Sequence, residues 1–441
     1  MIKLTNNRSI IGLVLAALVI LISFTPQIRF FYTLPNSVKL GVGDTLNLEF
    51  KLPMGFDNKI VLEYVPPVQQ TTNSVKASGT IINFASPVVV TTPGEANIKL
   101  KLFGIIPIKN IELNVLPRTK LIPGGHAIGI LLKTDGIIVV GYSPIEDQNG
   151  LICSPAQTAG IEVGDIIQSI EGIALTSDEN TSALIEKFAK KGKPLNLKIK
   201  RGNNKLNIKV NPVYCKNTNK YRIGLYIRDS TAGVGTLTFF DPESLAYGAL
   251  GHVINDIDIN MQIAKGEGKI IDARIKGIQQ AIKGQPGEKI GSFQSNQGFF
   301  GDIHKNTNYG IFGILNFNLI NKFYQSPIPV AFSEEVVIGP ATILTVIEEN
   351  EIEEFDIEII KTNVLKGTNS RNLMIKITDP KLLELTGGII QGMSGSPIIQ
   401  NGLLIGAVTH VLVNDPTKGY GVLAETMLSE ADFFYEEKGA A

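Results

Sequence analysis

The sequence predicts a mostly β protein in which several small domains follow one another. Glycine is abundant at 44 residues, tryptophan is absent, and β-branched residues dominate the apolar set. Apolar residues alternate with polar ones in short segments that prolines and glycines interrupt, for example at Leu46, Leu48, Phe50 and Leu52. A chain of 441 residues is long enough for roughly two to four domains.

Residues 1–33 are predicted to form a signal anchor. Lys3 and Arg8 precede an apolar run from Ile10 to Phe24, which predicts that the amino end stays in the cytoplasm and the remaining chain lies outside it. A helix over this run extends about 22 Å, less than the roughly 30 Å of a bilayer core, so a cleaved secretory signal is the alternative. No small-residue cleavage site follows, and the aromatic residues 30–32 suit a membrane interface, which favours a retained anchor.

Composition excludes several kinds of partner and chemistry. Lysine plus arginine equals aspartate plus glutamate at 41 each, which argues against a nucleic-acid-binding surface. Cys153 and Cys215 are the only cysteines, and export permits a disulfide between them without requiring it. The sequence contains no metal-binding or phosphate-binding motif, so we expect chemistry that needs neither a metal nor a cofactor.

Residues 34–117 are predicted to form a small all-β module. The alternating residues Ile98, Leu100 and Leu102 indicate a strand, and prolines mark the ends of the unit. The module contains no candidate catalytic set, so a spacer or interaction domain is the expected role.

Residues 118–212 contain a second recognisable motif. The segment 154–167 reads S-P-A-Q-T-A-G-I-E-V-G-D-I-I and closely resembles the signature of bacterial PDZ domains. The resemblance implies an α+β domain that binds a peptide or protein C-terminus as an added strand, between residues 129–133 and a helix over 181–191. The peptide-binding residues would be Gly124, Gly125, Ile128 and Gly129, with loop amides facing the carboxylate. A PDZ fold that serves only as packing support is the alternative.

The hexapeptide 392–397 has the form G-x-S-G-x-P and is typical of a tight turn that presents a serine. Gly392 and Gly395 allow the chain to bend, and the turn would aim the amides of Gly392 and Ser394 at one point beside the Ser394 hydroxyl. A nucleophile beside two such donors is what acyl transfer requires, so these amides are the predicted oxyanion hole. The following apolar residues 403–408 indicate a buried strand. A hairpin without chemistry is the alternative, and Ser396 is expected to be structural.

His252 is the candidate general base. It closes the segment Ala249-Leu250-Gly251-His252, which follows an alternating strand over 235–239. Small residues let the backbone pack closely and hold the imidazole beside a substrate. The chain has four histidines, so there are few other candidates; a buried histidine with a purely structural hydrogen bond is the alternative.

From the anchor through the PDZ motif to the segments 236–258, 305–313 and 387–416, the chain resembles the SpoIVB family of sporulation serine peptidases. The resemblance implies that Ser394 is the nucleophile, His252 the base and Asp379 the third member of a triad. Residues 213–441 would form a chymotrypsin-like double β-barrel, which also places His410 near the first specificity pocket. Spacing alone favours Asp256, Asp258 or Asp302 over Asp379, and Asp379-Pro380 also fits a turn that starts a helix.

The resemblance also implies a biological role. The protein would be a membrane-anchored serine endopeptidase in the space between forespore and mother cell. It would process itself and cleave a membrane-bound regulator of an intramembrane protease, which leads to late sigma-factor activation. The alternative is a PDZ-based adaptor that binds membrane-protein partners and has an inactive protease domain.

Overall fold

The computed structural model describes residues 11–18, 36–46, 60–65, 80–82, 88–89, 93–102, 104–175, 177–202, 204–256, 261–262, 268–293, 299–362 and 371–431. The chain divides into two units, Met1–Thr119 and Lys120–Ala441. Residues 11–18 are helical, and the rest of the predicted anchor lies outside the described residues. No described helix is long and apolar enough to cross a membrane.

The first unit is built from short strands, as its alternating apolar residues predict. Ile98 and Leu100 on one strand and Ile111 and Leu113 on the next are fully buried and form its core. Five strands form one sheet in the order β1-β7-β6-β3-β4, and β2 pairs with β5. The strands are β1 (Ser37–Gly41), β2 (Thr45–Leu46), β3 (Ile60–Val65), β4 (Thr80–Ile82), β5 (Val88–Val89), β6 (Gly94–Leu102) and β7 (Ile106–Leu116).

The second unit contains two barrels and the PDZ domain. Its strands up to the end of the PDZ domain are β8 (Lys120–Pro123), β9 (Ala127–Tyr142), β10 (Ile145–Glu146), β11 (Ile152–Cys153), β12 (Ile166–Ile170), β13 (Ile173–Ala174), β14 (Leu195–Arg201), β15 (Asn204–Val210), β16 (Val213–Cys215), β17 (Lys220–Arg222) and β18 (Leu225–Phe240). The strands that follow are β19 (Ala246–Ala249), β20 (Asn255–Asp256), β21 (Met261–Gln262), β22 (Gly268–Gln279), β23 (Glu288–Phe293), β24 (Phe299–Thr307), β25 (Gly310–Leu315), β26 (Ile328–Pro329), β27 (Gly339–Val346), β28 (Ile352–Thr362), β29 (Leu373–Ile377), β30 (Pro397–Gln400), β31 (Leu403–Val411) and β32 (Lys418–Leu423). The helices are α1 (Pro155–Thr158), α2 (Asp178–Ala189), α3 (Pro380–Thr386) and α4 (Ala424–Glu430).

The first barrel closes through the pairing of β9 with β18. The ring runs β9-β22-β24-β25-β19-β18 and back to β9, and its core includes Ile130, Leu237 and Tyr247. The second barrel is the closed ring β27-β28-β29-β32-β31-β30 around Ile343, Phe355 and other buried residues. Two six-stranded barrels are the chymotrypsin-like architecture that the sequence predicted.

The PDZ domain is inserted into the first barrel. Both β9 and β18 have 16 residues, and each strand runs through the barrel and the PDZ sheet. Residues 127–133 of β9 pair with residues 230–236 of β18 in the barrel, whereas residues 138–142 pair with residues 225–228 in the PDZ domain. The predicted boundary at residue 118 is therefore wrong, because residues 120–133 belong to the protease. The predicted start of the protease at residue 213 stays a prediction, and residues 225–228 of β18 pair with β9 in the PDZ sheet.

The structure also contradicts the predicted PDZ peptide site. The amides of Gly124 and Gly125 donate to the carbonyls of Thr238 and Leu237, at 2.8 Å each. Ile128 and Gly129 are paired with β18 on one side and with β22 on the other. These residues therefore offer neither free amides nor an open strand edge to a peptide, and their backbone forms part of the first barrel.

Lys289 bridges the two barrels from a fully buried position. Its strand β23 pairs with β22 of the first barrel, and its Nζ donates to Thr345 Oγ1 of β27 in the second barrel at 2.7 Å. Because no carboxylate contacts this ammonium among the described residues, burial lowers the pKa of Lys289 from 10.5 to about 7. Folding below pH 7 therefore buries an uncompensated charge.

We expect this lysine to make stability rise with pH. Between its folded pKa of about 7 and its unfolded value near 10.4, the unfolded chain binds the extra proton, so the free energy of unfolding increases with pH. The double variant Lys289→Met/Thr345→Val removes both polar partners, so it should lose this rise and gain stability on the order of a few kcal/mol at pH 6. Urea unfolding at pH 6 and pH 9 measures the effect. The exposed Lys361→Met is the control, and equal pH dependence in all three proteins would contradict the prediction.

Candidate active site

The turn that carries Ser394 has the backbone that its glycines predict. It lies between Gln391 and β30, with φ of +91° at Gly392 and +94° at Gly395. A Cβ on Gly395 would lie 2.0 Å from the carbonyl oxygen of Thr236, so only glycine fits there. The turn therefore packs directly against β18 of the first barrel.

Alternate amides of this turn are left without an acceptor. Met393 donates its amide to the Ile390 carbonyl, and Gly395 donates to the Val408 carbonyl. Among the described residues, the amides of Gly392 and Ser394 have no acceptor. These are the two donors that the sequence assigned to an oxyanion hole, and the structure leaves both available for a ligand.

Thr236 holds the turn in place from the first barrel. Its amide donates to the Ser394 carbonyl at 2.9 Å, and its hydroxyl donates to the Gly392 carbonyl at 2.7 Å. These two bonds hold the peptide groups 392–393 and 394–395, which flank the peptide group that carries the Ser394 amide. Thr236 is fully buried, and apart from its place in the strand before His252 no sequence feature predicted this role.

His252 follows a strained turn that brings the first barrel against the second. Leu250 and Gly251 both have positive φ, at +69° and +73°. A Cβ on Gly251 would lie 2.8 Å from Thr409 Cγ2 of β31, which confirms that small residues permit the close approach. The same strand β31 accepts the Ser394 hydroxyl, whose Oγ donates to the Thr409 carbonyl at 2.8 Å. Ser394 and the turn that precedes His252 thus both contact Thr409 of β31.

The hydrogen bond of His252 assigns its tautomer. Nδ1 lies 2.8 Å from the carbonyl oxygen of Val253. Because a carbonyl only accepts, Nδ1 carries the hydrogen and Nε2 keeps a lone pair, as a general base requires. Burial lowers the pKa of His252, and the bond to Val253 opposes this shift, so the imidazole is neutral near pH 7.

Asp379 does not contact His252 in this structure. Its carboxylate accepts the Leu382 amide at 2.8 Å and caps α3, with Pro380 in the first turn. Asp379 and Pro380 therefore start a helix, which is the alternative to a triad role that the sequence also predicted. Among the described residues no carboxylate bonds to His252; Asp302 contributes its backbone carbonyl to Tyr247, and Asp258 lies outside the described residues. The Val253 carbonyl bonds to the imidazole nitrogen that the carboxylate of a catalytic triad would orient.

His410 lies beside the general base. Its ring centroid is 5.1 Å from that of His252, and its Nδ1 is buried without a partner among the described residues. Burial lowers the pKa of His410 to about 4, with smaller contributions from His252 and Arg371. That His410 lines the substrate site stays a prediction. His126 lies elsewhere, where its Nε2 bonds to the Ile320 carbonyl.

From these contacts we expect Asp379→Asn to retain hydrolytic activity within a few-fold. Asparagine caps a helix about as well as aspartate, whereas Asp379→Ala should lose roughly 1 kcal/mol of stability. The measurements are peptide hydrolysis and urea unfolding of the three proteins. A loss near 10⁴-fold in folded Asp379→Asn, as expected for a triad aspartate, would instead establish Asp379 as the group that orients His252.

Comparison with known proteins places this site in a family. Residues 219–428 match the model of the SpoIVB peptidase S55 family, and residues 131–211 match that of the PDZ domain. No curated protein matches the sequence.

Solved structures of the Rv3671c protease from M. tuberculosis are similar to 46% of this chain. The active form is 14% identical, with 74% of that chain covered and a TM-score of 0.26. The inactive form is 14% identical, with 85% covered and a TM-score of 0.25. The strand pairing and the family matches establish the fold. Those matches identify the protein as a serine peptidase with a PDZ domain, whose residues 219–428, including Ser394 and His252, match the SpoIVB peptidase S55 family.

Proposed function

We propose that this serine peptidase is an endopeptidase anchored by residues 1–33 that cleaves protein substrates outside the cytoplasm. The observation that carries the hydrolytic part is the turn of Ser394, in which the amides of Gly392 and Ser394 have no acceptor among the described residues. The apolar run from Ile10 to Phe24 behind Lys3 and Arg8 supports the location.

Peptide hydrolysis would use Ser394 as the nucleophile, His252 as the base and two backbone amides as the oxyanion hole. Ser394 Oγ attacks the scissile carbonyl while His252 Nε2 accepts its proton. The carbonyl oxygen becomes an oxyanion that the amides of Gly392 and Ser394 stabilise. His252 then returns the proton to the leaving amine, which leaves an acyl group on Ser394. Water, deprotonated by the same imidazole, releases the acid and restores the serine.

Substrate binding would align the nucleophile. In the structure the Ser394 hydroxyl donates to the Thr409 carbonyl rather than to His252. A peptide that adds as a strand along β31 would donate a backbone N–H to the same carbonyl. That bond displaces the hydroxyl, which then turns to Nε2 of His252. The serine is therefore engaged only when a peptide backbone is present.

We place the PDZ peptide groove at the beginning of β18 rather than at residues 124–129. Residues 225–227 pair with β9 along one edge, and no described strand pairs with their second edge. Helix α2 packs beside β17 and the start of β18. The amide of Gly224, whose φ is +81°, has no acceptor among the described residues. An open strand edge, a flanking helix and a free amide suit a peptide C-terminus.

The biological setting follows from the SpoIVB family. The protein would act in the space between forespore and mother cell, process itself, and cleave a membrane-bound regulator of an intramembrane protease. The late mother-cell sigma factor would then become active. The family match over residues 219–428 supports this setting.

Covalent labelling tests the proposed hydrolysis. The ectodomain should react with a fluorophosphonate probe, Ser394→Ala should not react, and His252→Ala should react at least 10³-fold more slowly because the serine loses its base. Gel fluorescence and mass spectrometry identify the labelled residue. Ser396→Ala is the matched control in the same turn and should label normally. An unreactive wild type with a cooperative unfolding transition would favour the inactive adaptor.

Substitution of Gly224 tests the PDZ groove. The backbone at residue 224 has a positive φ that alanine disfavours. Gly224→Ala should therefore weaken the binding of C-terminal peptides about tenfold, while the probe continues to label Ser394. Fluorescence anisotropy against a library of peptides with free carboxylates measures the binding. Unchanged affinity, or equal affinity for amidated peptides, would contradict this location. Gly124→Ala is the contrast, because its Cβ would lie 2.3 Å from the Leu237 carbonyl oxygen and disturb the barrel.

A further inference from the structure

Among the residues that the structure describes, Arg371 has no ionic partner, and it lies at the edge of the active site. Its guanidinium carbon lies 5.2 Å from the centre of the Tyr420 ring, a stacking contact that holds the side chain in place. No hydrogen bond or ion pair to Arg371 is present among the described residues, and the side chain is only half-buried. An immobilised guanidinium with free donors is suited to bind a carboxylate.

The position of Arg371 connects it to the catalytic histidine. Tyr420 of β32 lies directly opposite His410 of β31, and the His410 ring is 5.1 Å from that of His252. The positive charge of Arg371 contributes to the lowered pKa of His410. Arg371, His410 and His252 form a cluster that we call the cationic cluster after the charge of Arg371, since both imidazoles are neutral near pH 7.

The cationic cluster opposes catalysis unless an anion joins it. His252 becomes an imidazolium when it accepts the proton of Ser394, and nearby positive charge makes that step less favourable. No described carboxylate contacts any member of the cluster. A carboxylate on the substrate would pair with Arg371 and offset its effect on the imidazolium.

The geometry of strand addition indicates which substrate residue would carry this carboxylate. If the residue whose carbonyl is attacked, P1, donates its amide to Thr409, an antiparallel peptide places the preceding residue, P2, beside His410. We propose that Arg371 forms an acidic-residue subsite and that the peptidase prefers glutamate or aspartate at P2. This inference rests on the proposed hydrolysis at Ser394.

Matched peptides test the subsite. Fluorogenic peptides that differ only in glutamate, glutamine or lysine at P2 are compared by kcat/KM at low and high salt. Wild type should prefer glutamate to glutamine about tenfold or more at low salt, and less at high salt. Arg371→Gln should reduce this ratio to about one, Arg371→Lys should keep most of it, and Arg371→Glu should favour lysine. Lys361→Gln removes an exposed charge from the same barrel and should keep the full ratio.

The outcomes separate this inference from the proposed function. Equal rates for glutamate and glutamine in wild type, or a ratio that survives Arg371→Gln, would overturn the subsite while hydrolysis stands. If no peptide is cleaved and the fluorophosphonate probe does not label Ser394, hydrolysis fails instead. Binding of the same labelled peptides to Ser394→Ala, measured by anisotropy, then tests the subsite alone. The subsite requires that Ser394→Ala binds the glutamate peptide more tightly than the glutamine peptide. It also requires that adding Arg371→Gln abolishes this difference.

Discussion

The site depends on the docking of one turn of the second barrel onto one strand of the first. Thr236 bonds to the carbonyls on both sides of Met393, and Gly395 lies so close to the Thr236 carbonyl that no side chain fits. Since Ser394 comes from one barrel and His252 from the other, this contact brings the proposed nucleophile and the proposed base to one interface. Gly251, packed against Thr409, closes the same interface from the opposite side.

Because the PDZ domain is inserted into the first barrel, it shares strand β18 with the contact between the two barrels. Strand β18 starts beside Gly224, at the proposed peptide groove, and continues without interruption to Thr236 beneath the turn of Ser394. A ligand at the groove and a substrate at Ser394 would therefore bind to two parts of one strand. Separate domains joined by a linker would not share a structural element in this way.

The electrostatics of the site differ from those of a serine protease with a buried aspartate. The imidazole of His252 is oriented by the Val253 carbonyl, and its surroundings contain His410 and Arg371 but no described carboxylate. A neutral carbonyl fixes the tautomer but compensates an imidazolium less than an anion would. Negative charge brought by the substrate would supply the anion that the described residues do not place beside His252.

Sequence alone determined the β-rich class, the PDZ motif and the glycines of the Ser394 turn, because each depends on local chemistry and short spacing. Folding in three dimensions decided that residues 120–133 belong to the barrel, that Asp379 caps α3, and that Thr236 supports the oxyanion donors. A long strand shared by two sheets has the same alternation throughout, so its pattern does not mark where one domain ends. The partner of a carboxylate or a hydroxyl is likewise set by residues distant in sequence, which only the packed barrels bring together.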